Sequence, residues 1–262
     1  MRKYTDEELI GRVWDQEKIR DLISRFSYYE AADRRAESMD RFWVSEPENR
    51  RTASFGRNWG FITGWDDIRA YYVDRDRFGG VGTGLMHPLS TKLLCLAEDG
   101  KTARGMWMGI AYETAPGDDG NLDAKWINER LAADFIKEDD GWKIWHLFIG
   151  TNYVLSVGED YDEQPLNTRP ITREEGGPDW YTYGHGREAR EGLLALFDQI
   201  PEYPEREAFL DGRIPEEIYT ALYNDPVTFP PLPEDYVTYD PARGYGPEGF
   251  ARFAGNGTGR VF

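Results

Sequence analysis

Four long extended segments joined by short polar turns constrain the fold of this chain most strongly. Two of the joints, Glu98-Asp99-Gly100 and Asp139-Asp140-Gly141, end in an Asp-Gly dipeptide. The glycine of this dipeptide readily adopts the positive φ of a tight hairpin turn. The joint between them, residues 115–123, is a longer loop rich in Gly and Asp. The pattern predicts a strongly bent antiparallel sheet with strands over residues 85–97, 102–114, 124–138 and 142–155.

Two helical patterns precede these strands. Within residues 6–36, apolar residues recur every three or four positions and form one helix face that ends in Asp33. The face comprises Ile19, Leu22, Ile23, Phe26 and Tyr29. A second helix is predicted near residues 65–76, and the Thr63 side chain is expected to accept a hydrogen bond from its first turn. Residues 50–62, which lie between the two helices, suit one or two short strands. Helices followed by an antiparallel sheet predict an α+β fold with the helices on one face of the sheet.

The last strand is apolar on both faces. Strict alternation places Trp142, Ile144, His146 and Phe148 on one face and Trp145, Leu147 and Ile149 on the other. We expect the first set to face the helices and the second to face a subunit interface or the C-terminal extension. The reverse assignment stays open.

Proline divides the chain into two regions. Twelve of the 15 prolines follow residue 156, and the strong periodicity ends there. We therefore predict a domain over residues 1–155 and an irregular C-terminal extension over residues 156–262, with helical candidates at 187–200 and 215–223. The extension is too poor in apolar residues to form its own core, so it is expected to wrap the domain or a neighbouring subunit. We expect a homo-oligomer, either a dimer or a trimer.

Charge and composition exclude several classes of partner. The chain has 48 acidic and 31 basic side chains, a formal charge of -17, which repels nucleic acid and anionic membranes. The single cysteine cannot form an intrachain disulfide, and the first nine residues lack the apolar core of a signal peptide, so we expect a cytoplasmic protein. Aromatic residues make up 15% of the chain, which favours a pocket for a small aromatic substrate.

Several of these residues together resemble a known family. They are the helix end Tyr28-Tyr29-Glu30-Ala31-Ala32-Asp33-Arg34-Arg35, His87 in the first long strand, and the hairpin Asp140-Gly141-Trp142-Lys143-Ile144. Over residues 8–155 the chain resembles the SnoaL-like branch of the nuclear transport factor 2-like (NTF2-like) superfamily. The resemblance implies a cone-shaped domain with a ligand cavity at its open end, and many members are cofactor-free lyases, dehydratases and isomerases. The start of the chain and the Pro-rich extension also resemble the sphingomonad diarylpropane formaldehyde lyases, which act on lignin-derived aromatic dimers.

Titratable residues supply candidates for acid–base chemistry. His87 and His146 each lie in phase with apolar strand residues, where an imidazole can move protons near neutral pH, although a structural core histidine gives the same pattern. Asp33 follows Tyr29 by one helical turn, so the two side chains can lie together at the mouth of the cavity, although a salt bridge to a neighbouring arginine explains Asp33 equally well. Resemblance to family dehydratases assigns catalytic roles to Tyr28, Asp33 and His87. We expect Asp33, His87 and His146 to converge in one dry cavity.

A second group of residues is predicted to bind the substrate. It comprises Tyr29, Arg57, Trp59, Arg104, Trp107 and Asn128, which are aromatic or carry hydrogen-bond donors. Alternation does not allow Arg104 and Trp107 to share a face of their strand. The chain has no Cys pair, no HExxH motif and no phosphate-binding glycine loop, so we predict neither a metal nor an organic cofactor.

These expectations combine into one functional hypothesis with two alternatives. The chain is predicted to be a cofactor-independent lyase that acts on a lignin-derived phenolic compound, releasing formaldehyde from a 1,2-diarylpropane-1,3-diol to give a stilbene. His87 would be the acid, and Asp33 or His146 the base. The alternatives are a dehydratase or isomerase of a steroid or polyketide, and a small-ligand-binding protein without catalysis.

Overall fold

The long first helix, the short strands, the helix near residue 65 and the long strands follow one another in the predicted order, but two short helices, Arg35–Phe42 and Pro47–Thr52, were not predicted. The computed structural model describes residues 2–57, 60–75, 84–116, 121–157 and 230–249. The helices are α1 (Asp6–Ala31), α2 (Arg35–Phe42), α3 (Pro47–Thr52) and α4 (Trp65–Arg69), which continues as a π-helix over Ala70–Arg75. The strands are β1 (Ser54–Arg57), β2 (Gly60–Thr63), β3 (Gly84–Met86), β4 (Ser90–Leu96), β5 (Thr102–Pro116), β6 (Leu122–Glu138) and β7 (Gly141–Ser156).

The strands form one sheet in the order β2-β1-β7-β6-β5-β3, and β4 also pairs with β5. Both predicted Asp-Gly hairpins are confirmed, with φ of 72° at Gly100 and 128° at Gly141. The pairing of β1 with β7 is parallel, which departs from the wholly antiparallel sheet predicted from the sequence. No hairpin joins these two strands, so their direction is not fixed by a turn.

Helix α1 begins with a capping box, in which the Thr5 side chain and Glu8 bond to each other's backbone N–H groups. Its predicted apolar stripe is buried, with Ile19, Leu22, Ile23 and Phe26 in the core. The helix ends at Ala31 because Asp33 adopts a φ of 52°, which interrupts the helical ladder. The prediction of one helix through residue 36 is therefore wrong, and α2 begins separately at Arg35.

Two other local expectations fail. Gly64, and not Thr63, occupies the N-cap of α4, and no side chain caps that helix. The first predicted long strand is two strands, β3 and β4, separated by His87, Pro88 and Leu89. Pro88 has no N–H to donate to a sheet ladder, so the strand cannot run through it. His87 therefore lies between two strands.

The sheet has two structurally different faces. We call the face that packs against α1 the inner face, and on β6 it carries Glu129, Leu131 and Phe135. The opposite, outer face of β6 carries Arg130 and Asp134. Part of the C-terminal extension packs on the outer face: the backbone of residues 236–237 accepts hydrogen bonds from Glu98 and Asp99, and Tyr245 N–H donates to Asp134 at 2.6 Å.

A bulge in β7 overturns the predicted face assignment of the last strand. His146 pairs with Asp134, and Ile144 pairs with the next residue of β6, Phe135. Trp145 is therefore an extra residue in β7 that has no paired residue in β6. Ile144 and Leu147 therefore both face inward, while His146 faces outward. The predicted helical segments 187–200 and 215–223 lie outside the described residues. In the described ranges, none of the helices has the length and apolar character needed to cross a bilayer.

Candidate active site

His87 lies between two glutamate side chains on the inner face of the sheet. Its Nε2 is 2.6 Å from Glu113 Oε1, and its Nδ1 is 2.8 Å from Glu129 Oε1. Both carboxylates are buried. We call these three residues the His87 cluster. Each ring nitrogen has a carboxylate partner at hydrogen-bond distance, which is the arrangement that favours a doubly protonated imidazolium.

Three elements bring the cluster together. Glu113 comes from β5 and Glu129 from β6, and Gly109 is the residue of β5 that pairs with Glu129. Since side chains alternate along a strand, Gly109 and Glu113 share the inner face, so both carboxylates point to the same side of the sheet. Helix α1 holds the histidine backbone, because Ser27 Oγ donates to the His87 carbonyl oxygen at 2.6 Å.

The two carboxylates determine the charge of the histidine. Burial disfavours the imidazolium, but the negative charges of Glu129 and Glu113 and their hydrogen bonds outweigh burial and raise the pKa of His87 to about 10. Burial also disfavours the charged form of Glu129, yet its pKa is lowered by the charge and hydrogen bond of His87. The cluster therefore contains an imidazolium and a carboxylate side by side at neutral pH.

Each glutamate has one oxygen that is left available. Oε2 of Glu113 and Oε2 of Glu129 are buried and receive no hydrogen bond within the described part of the chain. A buried acceptor without a donor is unfavourable by about 1 to 3 kcal/mol, and by more when it is charged. The hydroxyl groups of a ligand are donors that would satisfy these oxygens.

Arg57, predicted to bind substrate, lies near the cluster at the end of β1. Its guanidinium carbon is 5.6 Å from the centre of the Phe55 ring, and its positive charge contributes to lowering the pKa of Glu129. Trp59, predicted for the same role, lies outside the described residues.

A second buried polar group lies on the helical side of the same core. Arg35 Nε is 3.6 Å from Glu30 Oε2, and the Arg35 guanidinium carbon lies 5.3 Å from the centre of the Tyr72 ring. Burial, with the charge of Glu30, raises the pKa of the Tyr72 phenol, while Arg35 and, to a smaller extent, Arg57 act in the opposite direction. Arg57 thus influences both this group and the His87 cluster.

The helix-end residues predicted to be catalytic lie elsewhere. The Asp33 side chain is 53% exposed, and its ion-pair partner is Arg35, with Nε 3.9 Å away. Tyr28 is 78% exposed. Tyr29 is half-buried and packs edge-on against Phe42, with ring centres 5.0 Å apart. The predicted meeting of Asp33 with His87 in a dry cavity is therefore wrong, because the helix ends before Asp33 and turns its carboxylate towards solvent.

His146 lies on the opposite face of the sheet from His87. Its Nδ1 is 2.9 Å from Ser54 Oγ, and its ring stacks on Trp145 at 4.5 Å. Burial lowers the pKa of His146 to about 3, so this imidazole is neutral. The predicted convergence of His146 with His87 is wrong, and the bulge at Trp145 is the physical reason.

The remaining candidates are divided between the two faces. Arg104 faces outward, with Nε 3.6 Å from Asp134, whereas Trp107 faces inward and packs edge-on against Phe135 at 6.0 Å. The prediction that these two residues cannot share a face is confirmed. Asn128 is half-buried on the outer face of β6. Arg104 and Asn128 thus lie on the face opposite to the His87 cluster.

Both glutamates of the cluster were missed by the sequence reasoning. A usable signal was present, because Glu113 is in phase with Trp107 of β5, and Glu129 with Leu131 and Phe135 of β6. An acidic residue in phase with a buried apolar stripe is unusual and calls for a charged partner. Among the residues described, no group of three or more His, Cys, Asp and Glu side chains is arranged to hold a metal ion.

Comparisons with solved structures match several proteins over more than half of this chain. A type 2 hexachlorocyclohexane dehydrochlorinase (LinA) is 14% identical, with 58% of this chain and 94% of that chain covered and a TM-score of 0.47. The type 3 LinA from Novosphingobium barchaimii LL02 is 16% identical, with 58% and 95% covered and a TM-score of 0.43. An NTF2-like protein with a cystatin-like fold from Novosphingobium aromaticivorans is 15% identical, with 62% and 95% covered and a TM-score of 0.41. At these identities, the likeness concerns the fold alone.

Sequence comparison gives the family. Among curated proteins, none matches this chain significantly. The family model of the SnoaL-like domain matches residues 11–147, which is more than half of the chain and includes all three residues of the His87 cluster. This match confirms the fold that the sequence resemblance implied. The chain therefore belongs to the family of proteins with a SnoaL-like domain.

Proposed function

We propose that the protein is a cofactor-independent lyase that catalyses an acid–base elimination at the His87 cluster. The observation that carries this proposal is the geometry of the His87 ring, 17% exposed, with each ring nitrogen at hydrogen-bond distance from a buried carboxylate. An elimination needs one group that gives a proton to the leaving oxygen and another that takes a proton from the substrate. The cluster offers both kinds of group within hydrogen-bond distance of each other.

The electrostatics favour one division of roles. His87 is the acid, because its raised pKa keeps it protonated in neutral solution. Burial disfavours the charged form of Glu129, but the charge and hydrogen bond of His87, with the charge of Arg57, lower its pKa, so we assign Glu129 the role of holding the imidazolium. We assign the role of base to Glu113, through the Oε2 atom that receives no hydrogen bond from the described residues.

The proposed substrate is a lignin-derived 1,2-diarylpropane-1,3-diol. The Nδ1–H group of His87 exchanges Glu129 for the benzylic hydroxyl and protonates it, the C–O bond breaks, and water leaves. Glu113 takes the proton of the terminal hydroxyl, whose oxygen forms a carbonyl as the adjacent C–C bond breaks. The electrons of that bond form the C=C bond of a stilbene, and formaldehyde and water are the other products. The proton that Glu113 gains balances the one that His87 loses.

Two features support this class of substrate. The buried Oε2 atoms of Glu113 and Glu129 suit a ligand that brings two hydroxyl donors, whereas a carboxylate or phosphate would bring no donor and would be repelled. The sequence resemblance to the diarylpropane formaldehyde lyases, which covers the start of the chain and the extension, points to the same diol.

The test is an incubation of the purified protein with a 1,2-diarylpropane-1,3-diol, following stilbene absorbance and trapping formaldehyde. His87→Gln and Glu113→Gln should each lower kcat by about 10² to 10⁴, the usual contribution of one proton transfer. Asp33→Asn is the matched control, since this carboxylate is exposed and away from the cluster, and turnover should stay within a factor of a few.

The products separate this proposal from its alternatives. Loss of water without formaldehyde would indicate a dehydratase acting through the same cluster. Binding of the diol without turnover, equally in parent and variants, would indicate a ligand-binding protein. Turnover of His87→Gln close to that of the parent would contradict the role of His87.

A further inference from the structure

The chain segment that carries His87 crosses β5 closely at Gly109. A Cβ atom placed on Gly109 would lie 2.8 Å from the carbonyl oxygen of Pro88 and 3.7 Å from Cγ and Oε1 of Glu129. Real Cβ atoms essentially never come within 3.0 Å of another heavy atom, and here the obstacle is backbone. The crossing in its present position therefore needs a residue without a side chain at position 109.

The crossing is coupled directly to the histidine. Pro88 follows His87. Ser27 Oγ donates to the His87 carbonyl oxygen at 2.6 Å, and the Pro88 carbonyl oxygen lies against Gly109. A methyl group at position 109 would have to push the Pro88 carbonyl away by about 0.6 Å to reach the 3.4 Å of an ordinary contact.

That displacement is large compared with the tolerance of the cluster. The contacts of His87 with Glu113 and Glu129 are 2.6 and 2.8 Å, and N–H···O bonds are normally made between about 2.7 and 3.2 Å. If the histidine moves with Pro88, a shift of this size lengthens the 2.8 Å contact of Nδ1 with Glu129 to as much as about 3.4 Å, outside that range.

We propose that Gly109 and Ser27 are positioning residues, which hold the turn at His87 and Pro88 so that the imidazole lies between Glu113 and Glu129. The expected fall in kcat rests on the proposed function, but the expected change in the position and titration of the His87 ring does not. Neither residue needs to touch a substrate for this role.

The experiment compares Gly109→Ala with Gly11→Ala in the full-length protein. Gly11 is an exposed residue of α1, and a Cβ built there has no heavy atom within 4 Å, so it controls for a glycine-to-alanine change. The titration midpoint of the His87 ring is measured by NMR. Its resonance is the one that disappears in the His87→Gln variant. Gly109→Ala should lower this midpoint by about one pH unit or more, because one hydrogen-bonded carboxylate is lost. It should also lower kcat on the diol about tenfold or more while KM changes less. Gly11→Ala should change neither.

A folded Gly109→Ala protein with an unchanged His87 midpoint would overturn the proposal. If that variant does not fold, Ser27→Ala gives the test, since it removes the hydrogen bond to the His87 carbonyl without adding an atom. Its midpoint should fall in the same direction, and an unchanged midpoint there would also overturn the proposal. A parent protein that shows no turnover of the diol would reject the proposed function, while the titration would still decide the role of Gly109 and Ser27.

Discussion

The proton on His87 should make the stability of this protein depend on pH in the alkaline range. The pKa of His87 is about 10 in the folded protein and 6.5 for an ordinary histidine. At 1.36 kcal/mol per unit, this difference corresponds to about 5 kcal/mol of folding free energy as an upper value. The lowered pKa of Glu129 reports the same attraction from the other partner, so it is not added.

The sign follows from the direction of the shift. The folded state binds this proton more tightly than the unfolded chain does, so the stabilisation is fully present below about pH 6.5. It is lost progressively as the pH rises to about 10. Above that range, a neutral imidazole remains between two buried glutamates, and the ion pairs no longer offset the cost of burying them.

Urea unfolding at pH 6 and pH 10 measures this effect when the parent is compared with a matched variant. The triple substitution of His87, Glu113 and Glu129 by Gln removes every titratable group of the cluster and keeps polar side chains there. Other groups titrate in both proteins, so their contributions cancel. The unfolding free energy of the parent relative to the variant should fall by several kcal/mol between the two pH values. A difference that stays constant within about 1 kcal/mol would refute the assignment of a stably protonated His87.

Three further changes test other parts of the structure. Burial raises the pKa of Asp134 to about 6, so its ionisation weakens the fold as the pH rises from about 4 to 6, and Asp134→Asn should gain about 2 kcal/mol relative to the parent between pH 4.5 and pH 7.5 in urea unfolding. Phe135→Ala removes a buried ring that packs on Trp107 and should cost about 3 to 5 kcal/mol, seen as a large fall in Tm. Thr5→Ala removes half of the capping box with Glu8 and should cost about 1 kcal/mol in the same urea assay.

Features that depend on neighbouring residues alone were predictable from the sequence. The Asp-Gly turns fixed two hairpins because the positive φ at Gly100 and Gly141 is a local requirement. The buried stripe of α1 followed from helical spacing in the same way, and so did the α+β class. Alternation along the regular strand β5 correctly separated Arg104 from Trp107.

Single-residue irregularities account for the errors at the site. The left-handed backbone at Asp33 ends α1 early, and the extra residue Trp145 reverses the alternation along β7. The predictions assumed unbroken helical spacing and unbroken strand alternation, and neither irregularity follows from those patterns. The early helix end moves Asp33 away from the inner face, and the bulge moves His146 away from it. Both residues had been predicted to be partners of His87.

The acidic partners of His87 were predictable in principle. A histidine among apolar residues needs a negative charge beside it if it is to stay protonated near neutral pH. The candidates for that charge are Asp and Glu residues in phase with a buried apolar stripe. Glu113 and Glu129 meet that condition, whereas Asp33 meets it only if α1 continues to residue 36. The choice of partner therefore depended on one uncertain helix boundary.

The two faces of β6 show why a buried ionisable group keeps its charge on one side and tends to lose it on the other. Glu129 and Asp134 are five positions apart in a strand without a bulge of its own, so they face opposite ways. On the inner face, two carboxylates compensate the burial of one histidine, which stays charged. On the outer face, burial prevails, and it shifts Asp134 and His146 towards their neutral forms, with pKa values of about 6 and about 3. A histidine with a pKa of about 3 is a poor base and is not protonated at neutral pH, so His146 would lack the proton required of an acid even if a substrate reached it.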